Sequence, residues 1–329
     1  MRIGVYGAGA IGGLLAAYLE RGGNEVGVVA RGKQLDAIRA EGLTLTHGET
    51  HFTTHPVCSD DPAEIGACDA IIVTAKGPAL AAIADRISPM LKPDTPVIFA
   101  INGIPWWYDH ERGAPNSEAD SGAAEVLDRT GSLRQYVGYE RAIGCVIDCP
   151  TKVAAPGKIV CIKNAKGTFT LGEPNGLASD RVSKLANLFE AAGLEAPISD
   201  DIRHVIWAKL VVNLSRSPLA VLTGSTELRL AEDTAMTEIA GALMRESIAV
   251  AAAHNIALDL DVPGLLDPSG RLDHIPSMRQ DWDLARPMEV DGIVTIVSEF
   301  GRAAGIPTPM TDTVLTLLRH KAVMAGLYP

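Results

Sequence analysis

Apolar residues follow two rhythms along this chain. Up to about residue 198 they gather in short unbroken runs that read as buried strands. Beyond it they recur every three or four positions, the spacing of helices with one buried face. The first run, Arg2-Ile3-Gly4-Val5-Tyr6, passes straight into Gly7-Ala8-Gly9-Ala10-Ile11-Gly12 and then into a helix-competent stretch, Leu14 to Leu19. Glu25–Ala30, Asp69–Ala75 and Thr95–Ile101 repeat the strand pattern and deliver Arg31, Lys76 and Asn102-Gly103 at their ends. Shorter runs at Ala142–Ile147, Lys158–Ile162 and Thr168–Leu171, separated by Pro and Gly turns, predict a sheet extension with antiparallel pairing. Ser179–Ala192 then reads as a helix stopped by Gly193.

The second rhythm opens with Ser199-Asp200-Asp201, an N-cap signal before Ile202. Further helical stretches are predicted at Ala231–His254, Val290–Ala304 and Thr311–Ala325. The predicted fold is α/β: an N-terminal Rossmann-type doubly wound sheet with an antiparallel extension, residues 1–198, followed by an all-α C-terminal domain, residues 199–329. Pro105 to Glu140 fits neither rhythm. It opens on Trp106-Trp107-Tyr108, turns polar and glycine-rich, and reads as a surface excursion, helical in part from Ala123 to Arg134.

The glycine turn carries the first chemistry. G-x-G-x-x-G between a strand and a helix is the dinucleotide fingerprint in its required setting. Gly7 permits the tight turn, Gly9 lets the backbone approach a pyrophosphate, and Gly12 lets the helix pack on the sheet. With Ala8, Ala10 and Ile11 they bring phosphates to the N–H groups and positive dipole end of the helix. An NAD site usually places Asp or Glu after the second strand to accept from the ribose 2′-hydroxyl. No acid lies between Val26 and Leu35, whereas Arg31 and Lys33 do, and a 2′-phosphate needs such cations. NADP is therefore the expected cofactor. In an open α/β sheet ligands bind outside the carboxyl ends of the strands, so Gly7, Arg31, Lys76 and Asn102 are expected to line one crevice.

Composition narrows the class. The 329-residue chain has a formal net charge of -11, which offers no basic field for nucleic acid or an anionic membrane. No stretch reads as long enough to span a membrane, and the apolar N-terminus reads as a strand rather than a signal peptide. Five scattered cysteines suit reduced thiols, so a cytoplasmic protein is expected.

Two helices carry polar residues where the pattern wants apolar ones. Ile202, Val205, Ile206 and Leu210 define a buried face that Lys209 and Asn213 interrupt one turn apart. Ser217 falls a further turn along if the helix continues up to Pro218. A lysine there either snorkels to solvent or lines a cavity, where desolvation lowers its pKa toward the range of a general acid. Glu289 lies one turn before the apolar face Ile293, Ile296, Val297 and Phe300, where a carboxylate also serves simply as a helix cap.

In order, Gly7–Gly12, Lys76, Asn102-Gly103, Trp207-Ala208-Lys209-Leu210-Val211-Val212-Asn213, Ser217-Pro218-Leu219, Ser277-Met278-Arg279-Gln280-Asp281 and Glu289-Val290-Asp291 resemble the ketopantoate reductases (2-dehydropantoate 2-reductases) from Met1 to about Ile306. The resemblance implies NADPH-dependent reduction of 2-dehydropantoate to (R)-pantoate. Lys209 would be the general acid, Glu289 would orient substrate or lysine, and Asn102 would lie near the nicotinamide and the reacting carbonyl. Asn213 and Ser277 would bind the substrate's carboxylate and hydroxyl, and Arg31 and Lys76 the 2′-phosphate side of the cofactor. The chain departs from the family at three places. Ser217 stands where many members have a second asparagine, and Gly292 and Val294-Thr295 replace an aromatic residue and Asn-Gly. The tryptophan segment is an addition. A different 2-oxo or 2-hydroxy acid substrate is thus the nearest alternative, and a non-catalytic NADP sensor the alternative of another class.

His47, His51 and His55 share one side of an extended segment, but no Cys or acid completes a metal set, and a solvated hairpin edge accounts for them. Cys145 and Cys149 read as buried thiols, and Trp106 and Trp107 as packing residues or a lid. Oligomeric state is not legible; an apolar helix face of the second domain could form a homodimer.

Overall fold

The computed structural model describes residues 1–110, 123–162, 167–269, 271 and 273–328. It divides into two compact units, Met1–Ile101 with Thr130–Ile202, and Asn102–Arg129 with Arg203–Pro329. The first is α/β with a mainly parallel sheet, and the second is helical. This is the fold class expected from the two apolar rhythms. The partition is less simple than a single cut after residue 198, because Asn102–Arg129 leaves the sheet and belongs with the helices.

The strands are β1 (Arg2–Tyr6), β2 (Glu25–Val29), β3 (Leu43–His47), β4 (Thr50–Thr54), β5 (Val57–Ser59), β6 (Ala70–Val73), β7 (Val97–Ala100), β8 (Ala142–Asp148), β9 (Thr151–Ala155), β10 (Lys158–Cys161) and β11 (Thr168–Gly172). Seven form one sheet in the order β11-β8-β7-β6-β1-β2-β5. The chain builds outward from β1 through β2 to β5, then crosses back to β6, β7 and β8, so the order reverses between β1 and β6. That reversal is the switch point at which doubly wound sheets bind ligands. All pairs from β5 to β8 are parallel, and β11 adds antiparallel to β8, the expected extension. β1, β2, β6 and β7 are almost wholly buried, as strands covered on both faces must be.

A second sheet, β4-β3-β10-β9, is absent from the sequence expectation. Leu43–His47 alternates buried and half-buried positions, and its apolar residues are too few to stand out as a run. β10, expected in the main-sheet extension, lies here instead, parallel to β3 and antiparallel to β9. The first helix, α1 (Ala10–Arg21), touches β1 and β2 of one sheet and β3, β4, β9 and β10 of the other. Its Leu14, Leu15, Ala16, Ala17 and Leu19 are completely buried in consequence. The remaining helices of this unit are α2 (Gly32–Glu41), α3 (Pro62–Ile65), α4 (Leu80–Ala84) and, late in the chain, the helix over Asp180–Ala191, which Ser179 caps through Val182 N–H.

The helical unit holds α5 (Ala123–Leu127), and, with α6 assigned to Asp180–Ala191, α7 (Ile202–Thr223), α8 (Glu227–Glu232), α9 (Thr234–Ala253), α10 (Val262–Leu266), α11 (Ser277–Asp283), α12 (Ile296–Ala304) and α13 (Pro309–Met324). The predicted helix over Ala231–His254 is broken at Asp233, whose side chain caps α9 through Met236 N–H. The one over Val290–Ala304 begins as a π-turn, Asp291–Thr295. α7 corrects a further expectation: at 22 residues, with an 18-residue stretch of mean hydropathy 1.3, it is long and apolar enough to cross a membrane. Yet 61% of that stretch is buried inside the unit, so its apolarity serves the core.

The excursion is corrected in part. Residues 111–122 lie outside the described ones, but Trp106, Trp107 and Tyr108 at its start are core residues, each at most 2% exposed. The Trp207 indole N–H donates to the Tyr108 hydroxyl at 2.5 Å, and Phe300 stacks against both rings. Arg203 covers Trp107 and Tyr108 and donates to the Tyr108 carbonyl at 3.0 Å. A surface lid is thereby excluded for these aromatics. The expected helix from Ala123 to Arg134 is the short α5, with a separate π-turn at Leu133–Val137.

Candidate active site

In the α/β unit the parallel registers pair Tyr6 with Val29 and with Val73, and Val73 with Phe99. The carboxyl ends of these strands therefore align along one edge, and the loops carrying Gly7, Arg31 and Lys76 leave from it. Gly7 has φ +114°, open in practice only to glycine. A Cβ on Gly12 would stand 1.8 Å from the Gly7 carbonyl oxygen and 2.4 Å from Thr74 Oγ1, so only glycine lets α1 start so close to the turn. An added Cβ on Gly9 would meet nothing within 4 Å. The middle glycine thus faces open space, as backbone awaiting a pyrophosphate requires. Gly9 caps α1 with no side-chain hydrogen bond, and the first turn carries no acid. The N–H groups at this helix end are left for an anion. These residues fit a dinucleotide.

Two supports of the turn were not legible beforehand. Thr74 donates to the Gly7 carbonyl at 2.8 Å, tying the end of β6 to the turn after β1 across the switch point. Gln34 of α2 donates to the Ala8 carbonyl at 2.6 Å and accepts from Gly157 N–H at 3.0 Å. Thr74 sits in an apolar run and Gln34 on a polar helix face, so neither breaks a pattern. Arg31 is exposed at the N-cap of α2, and Lys33 is exposed one residue inside it. Lys76 is partly buried at the start of a short 3-10 turn.

In the helical unit three predicted residues meet. Lys209 Nζ donates to Asn102 Oδ1 at 3.0 Å, and Asn102 Nδ2 donates to Glu289 Oε2 at 3.3 Å. An ammonium only donates and a carboxylate only accepts, so the Asn102 amide has one orientation that satisfies both. It links a cation to an anion. Glu289 is 8% exposed and Lys209 partly buried. A carboxylate this buried must be hydrogen-bonded to remain charged, and Asn102 supplies such a bond.

Backbone contacts set this geometry. Ile104 N–H donates to the Gly292 carbonyl at 2.8 Å, locking the loop after Asn102 onto the π-turn after Glu289. Gly103 has φ +84°, and a Cβ there would lie 2.2 Å from the Gly292 oxygen. Glycine is obligatory at this crossing on both counts. π-turns recur at functional sites, and this one begins two residues after Glu289.

α7 carries Lys209, Asn213 and Ser217 at four-residue steps, hence on one face. The helix runs through Pro218 to Thr223 because Leu219, Ala220 and Val221 are held in the core. Asn213 is partly buried and Ser217 is 6% exposed. Ser277 is exposed at the first turn of α11. The side chains of these three are outside the Lys209–Asn102–Glu289 chain of hydrogen bonds.

The three histidines do not converge. His47 is buried with Nδ1 2.6 Å from the Tyr18 hydroxyl, whereas His51 bonds Thr46 on the exposed face of the β3–β4 hairpin. Cys145 is buried in β8, and Cys149 just past it is half-buried, 3.1 Å from Thr151 Oγ1.

Comparison with known proteins identifies the family. Residues 3–113 match the family model described as Ketopantoate reductase PanE/ApbA, and residues 201–322 match its C-terminal counterpart. A 2-dehydropantoate 2-reductase of Mesorhizobium japonicum is 38% identical over the full length of both chains. The crystal structure of a 2-dehydropantoate 2-reductase from Geobacter metallireducens superimposes with a TM-score of 0.83 at 27% identity, covering 98% of this chain and 100% of that one. D-mandelate dehydrogenase with NADH and anilino(oxo)acetate bound has the same fold, with a TM-score of 0.83 at 23% identity and coverage of 99% and 100%. With both domain models matched and a full-length relative at this identity, the chain belongs to the ketopantoate reductase family and is an NAD(P)-dependent oxidoreductase.

Proposed function

We propose that the protein reduces 2-dehydropantoate to (R)-pantoate with NADPH in the cytoplasm, as a step toward pantothenate. The observation that carries this reading is the Lys209–Asn102–Glu289 chain, which holds a proton donor in a fixed direction beside a buried carboxylate. When bound, the reduced nicotinamide supplies a hydride to the ketone carbon. Lys209 gives its proton to the ketone oxygen as that oxygen gains charge. Asn102 aims the ammonium, and Glu289 holds the Asn102 amide in that orientation by accepting from its Nδ2. Asn213 and Ser217, one and two turns beyond Lys209, bind the acid's polar groups with Ser277. NADPH rather than NADH is supported by Arg31 and Lys33 and by the missing acid after β2. Five free cysteines suit a reducing compartment.

A second substrate reading has its own support. Ser217 offers a shorter side chain than the asparagine common in the family, and Gly292 removes a side chain next to the Asn102 carbonyl. Both favour a substrate whose polar group or bulk differs from that of 2-dehydropantoate, reduced by the same residues. The test is oxidation of NADPH and of NADH with 2-dehydropantoate beside a panel of aliphatic and aryl 2-oxo acids. The highest kcat/KM for 2-dehydropantoate with NADPH is expected. A preferred aryl or branched 2-oxo acid would replace the substrate assignment, and preference for NADH would overturn the role of Arg31.

A further inference from the structure

Asp291 lies two residues beyond Glu289, and its carboxylate gathers side chains from three distant stretches of the helical unit. Oδ1 accepts from Thr295 Oγ1 at 2.9 Å and from the Tyr328 hydroxyl at 2.5 Å, and lies 3.6 Å from an Arg319 terminal nitrogen. Oδ2 accepts from Arg129 at 3.3 Å. An acid in the first turn of a helix ordinarily serves the dipole or caps an N–H. Here all four partners are side chains, so this carboxylate does something else.

The partners are themselves arranged for the task. Arg319 of α13 also donates to Thr295 Oγ1 at 2.9 Å, closing a ring of three with Asp291. α13 ends in a left-handed turn at Gly326, φ +67°, where Leu327 N–H returns to the Ala322 carbonyl and Gly326 N–H to Val323. This turn sends the chain back along the helix, setting Tyr328 under the Arg319 guanidinium at 5.5 Å with its hydroxyl on Asp291. Desolvation raises the Tyr328 pKa, with the bond to Asp291 adding to the effect, so the hydroxyl remains a donor throughout the neutral range.

What the carboxylate holds is the π-turn Asp291–Thr295. The Gly292 carbonyl of that turn receives Ile104 N–H, the contact that fixes Asn102 beside Glu289. We propose that Asp291, held by Tyr328, Arg319 and Arg129, is a positioning residue that keeps Glu289 and Asn102 in register with Lys209. This inference rests on the catalytic reading of those three residues. Asp291 touches neither Lys209 nor Asn102 and acts through the turn.

The test compares Tyr328→Phe and Asp291→Asn with the wild-type full chain by steady-state kinetics and by amide hydrogen exchange. Tyr328→Phe keeps the ring beneath Arg319 and removes one hydrogen bond. It should lower kcat about 3-fold, and Asp291→Asn, which also removes the charge, about 10-fold or more. The KM for the nicotinamide cofactor, bound by the other unit, should not move. Exchange of the segment containing Ile104 N–H should quicken in both variants, while β1 and β6 keep their protection. Unchanged kcat with an active wild type would overturn the proposal. Should the wild type turn over no 2-oxo acid, the catalytic reading fails by itself and exchange alone decides. Faster exchange at Ile104 then upholds the positional role of Asp291, and unaltered exchange refutes it.

Discussion

Lys209, Asn102 and Glu289 show how much a single side chain out of pattern can reveal. Lys209 was legible because an ammonium interrupts an apolar helical face, and the structure gives that ammonium a partner in Asn102. Asn102 was legible as the polar end of a strand and through the family resemblance; that it sits between a cation and an anion depends on a contact across 187 positions of chain. Replacing it by Asp would set a second carboxylate against Glu289, so Asn102→Asp should lower kcat by about 10²-fold or more, since aligned proton transfer of this kind contributes 10²–10⁴-fold. Steady-state rates across pH would register it. Arg31 makes a separable claim about the cofactor. Arg31→Ala should weaken NADPH binding about 10-fold or more, the worth of a charge-assisted hydrogen bond, and leave NADH nearly unaffected. Fluorescence titration with both nucleotides checks this. Cysteine reactivity gives a third expectation. Burial pushes the Cys58 and Cys68 thiols up to about 11, so at pH 8 only about one in a thousand is thiolate. Both should resist iodoacetamide in the folded protein and become labelled after unfolding, as mass spectrometry would show.

Among the elements, those with strong periodicity came through and those shaped by the fold did not. β1, α1, β2, β6 and β7 were readable because buried parallel strands are continuous apolar runs ending at polar loops. β9 was not, and β3 and β4 showed only as an extended hairpin edge around His47, His51 and His55, since many of their residues face solvent and leave no continuous apolar run. Of the two readings of Trp106 and Trp107, packing or a lid, the structure bears out packing, with Tyr108 buried beside them. What they pack against was not legible, because Trp207 and Phe300 come from two remote helices. The π-turn has no sequence signal beyond Gly292, yet it makes a sharp expectation about two glycines. Gly103→Ala forces a positive φ and a 2.2 Å approach to the Gly292 oxygen, and should cost about 1–3 kcal/mol from backbone strain alone. Gly292→Ala places its Cβ no nearer than 3.6 Å to its neighbours and should be tolerated. Denaturant unfolding of the two variants discriminates between them; equal stability would mean that the crossing at Gly103 is not held as described.

For the molecule as a whole, the chemistry is divided between two kinds of structure. A doubly wound sheet offers glycine backbone and a helix N-terminus, features that bind a nucleotide without any reacting side chain. The helical unit offers the residues proposed to handle the proton, and Asn102–Arg129, from the middle of the sheet's sequence, belongs to it. This explains why one boundary near residue 198 describes the chain incompletely: the segment stood out in composition as an excursion, but which unit it joins is decided by packing against remote helices. Family membership follows from both units together, whereas the proposed influence of Ser217 and Gly292 on substrate choice lies where general physical rules say least. The most direct measurement of the central claim is a comparison of wild type with Lys209→Ala, pairing kcat on the preferred 2-oxo acid with the Kd for the reduced cofactor. Loss of a positioned general acid should lower kcat about 10²–10⁴-fold while the Kd stays within about twofold. A Lys209→Ala enzyme with near-wild-type kcat would contradict the assignment of the proton donor and, with it, the purpose of the hydrogen-bonded chain through Asn102 to Glu289.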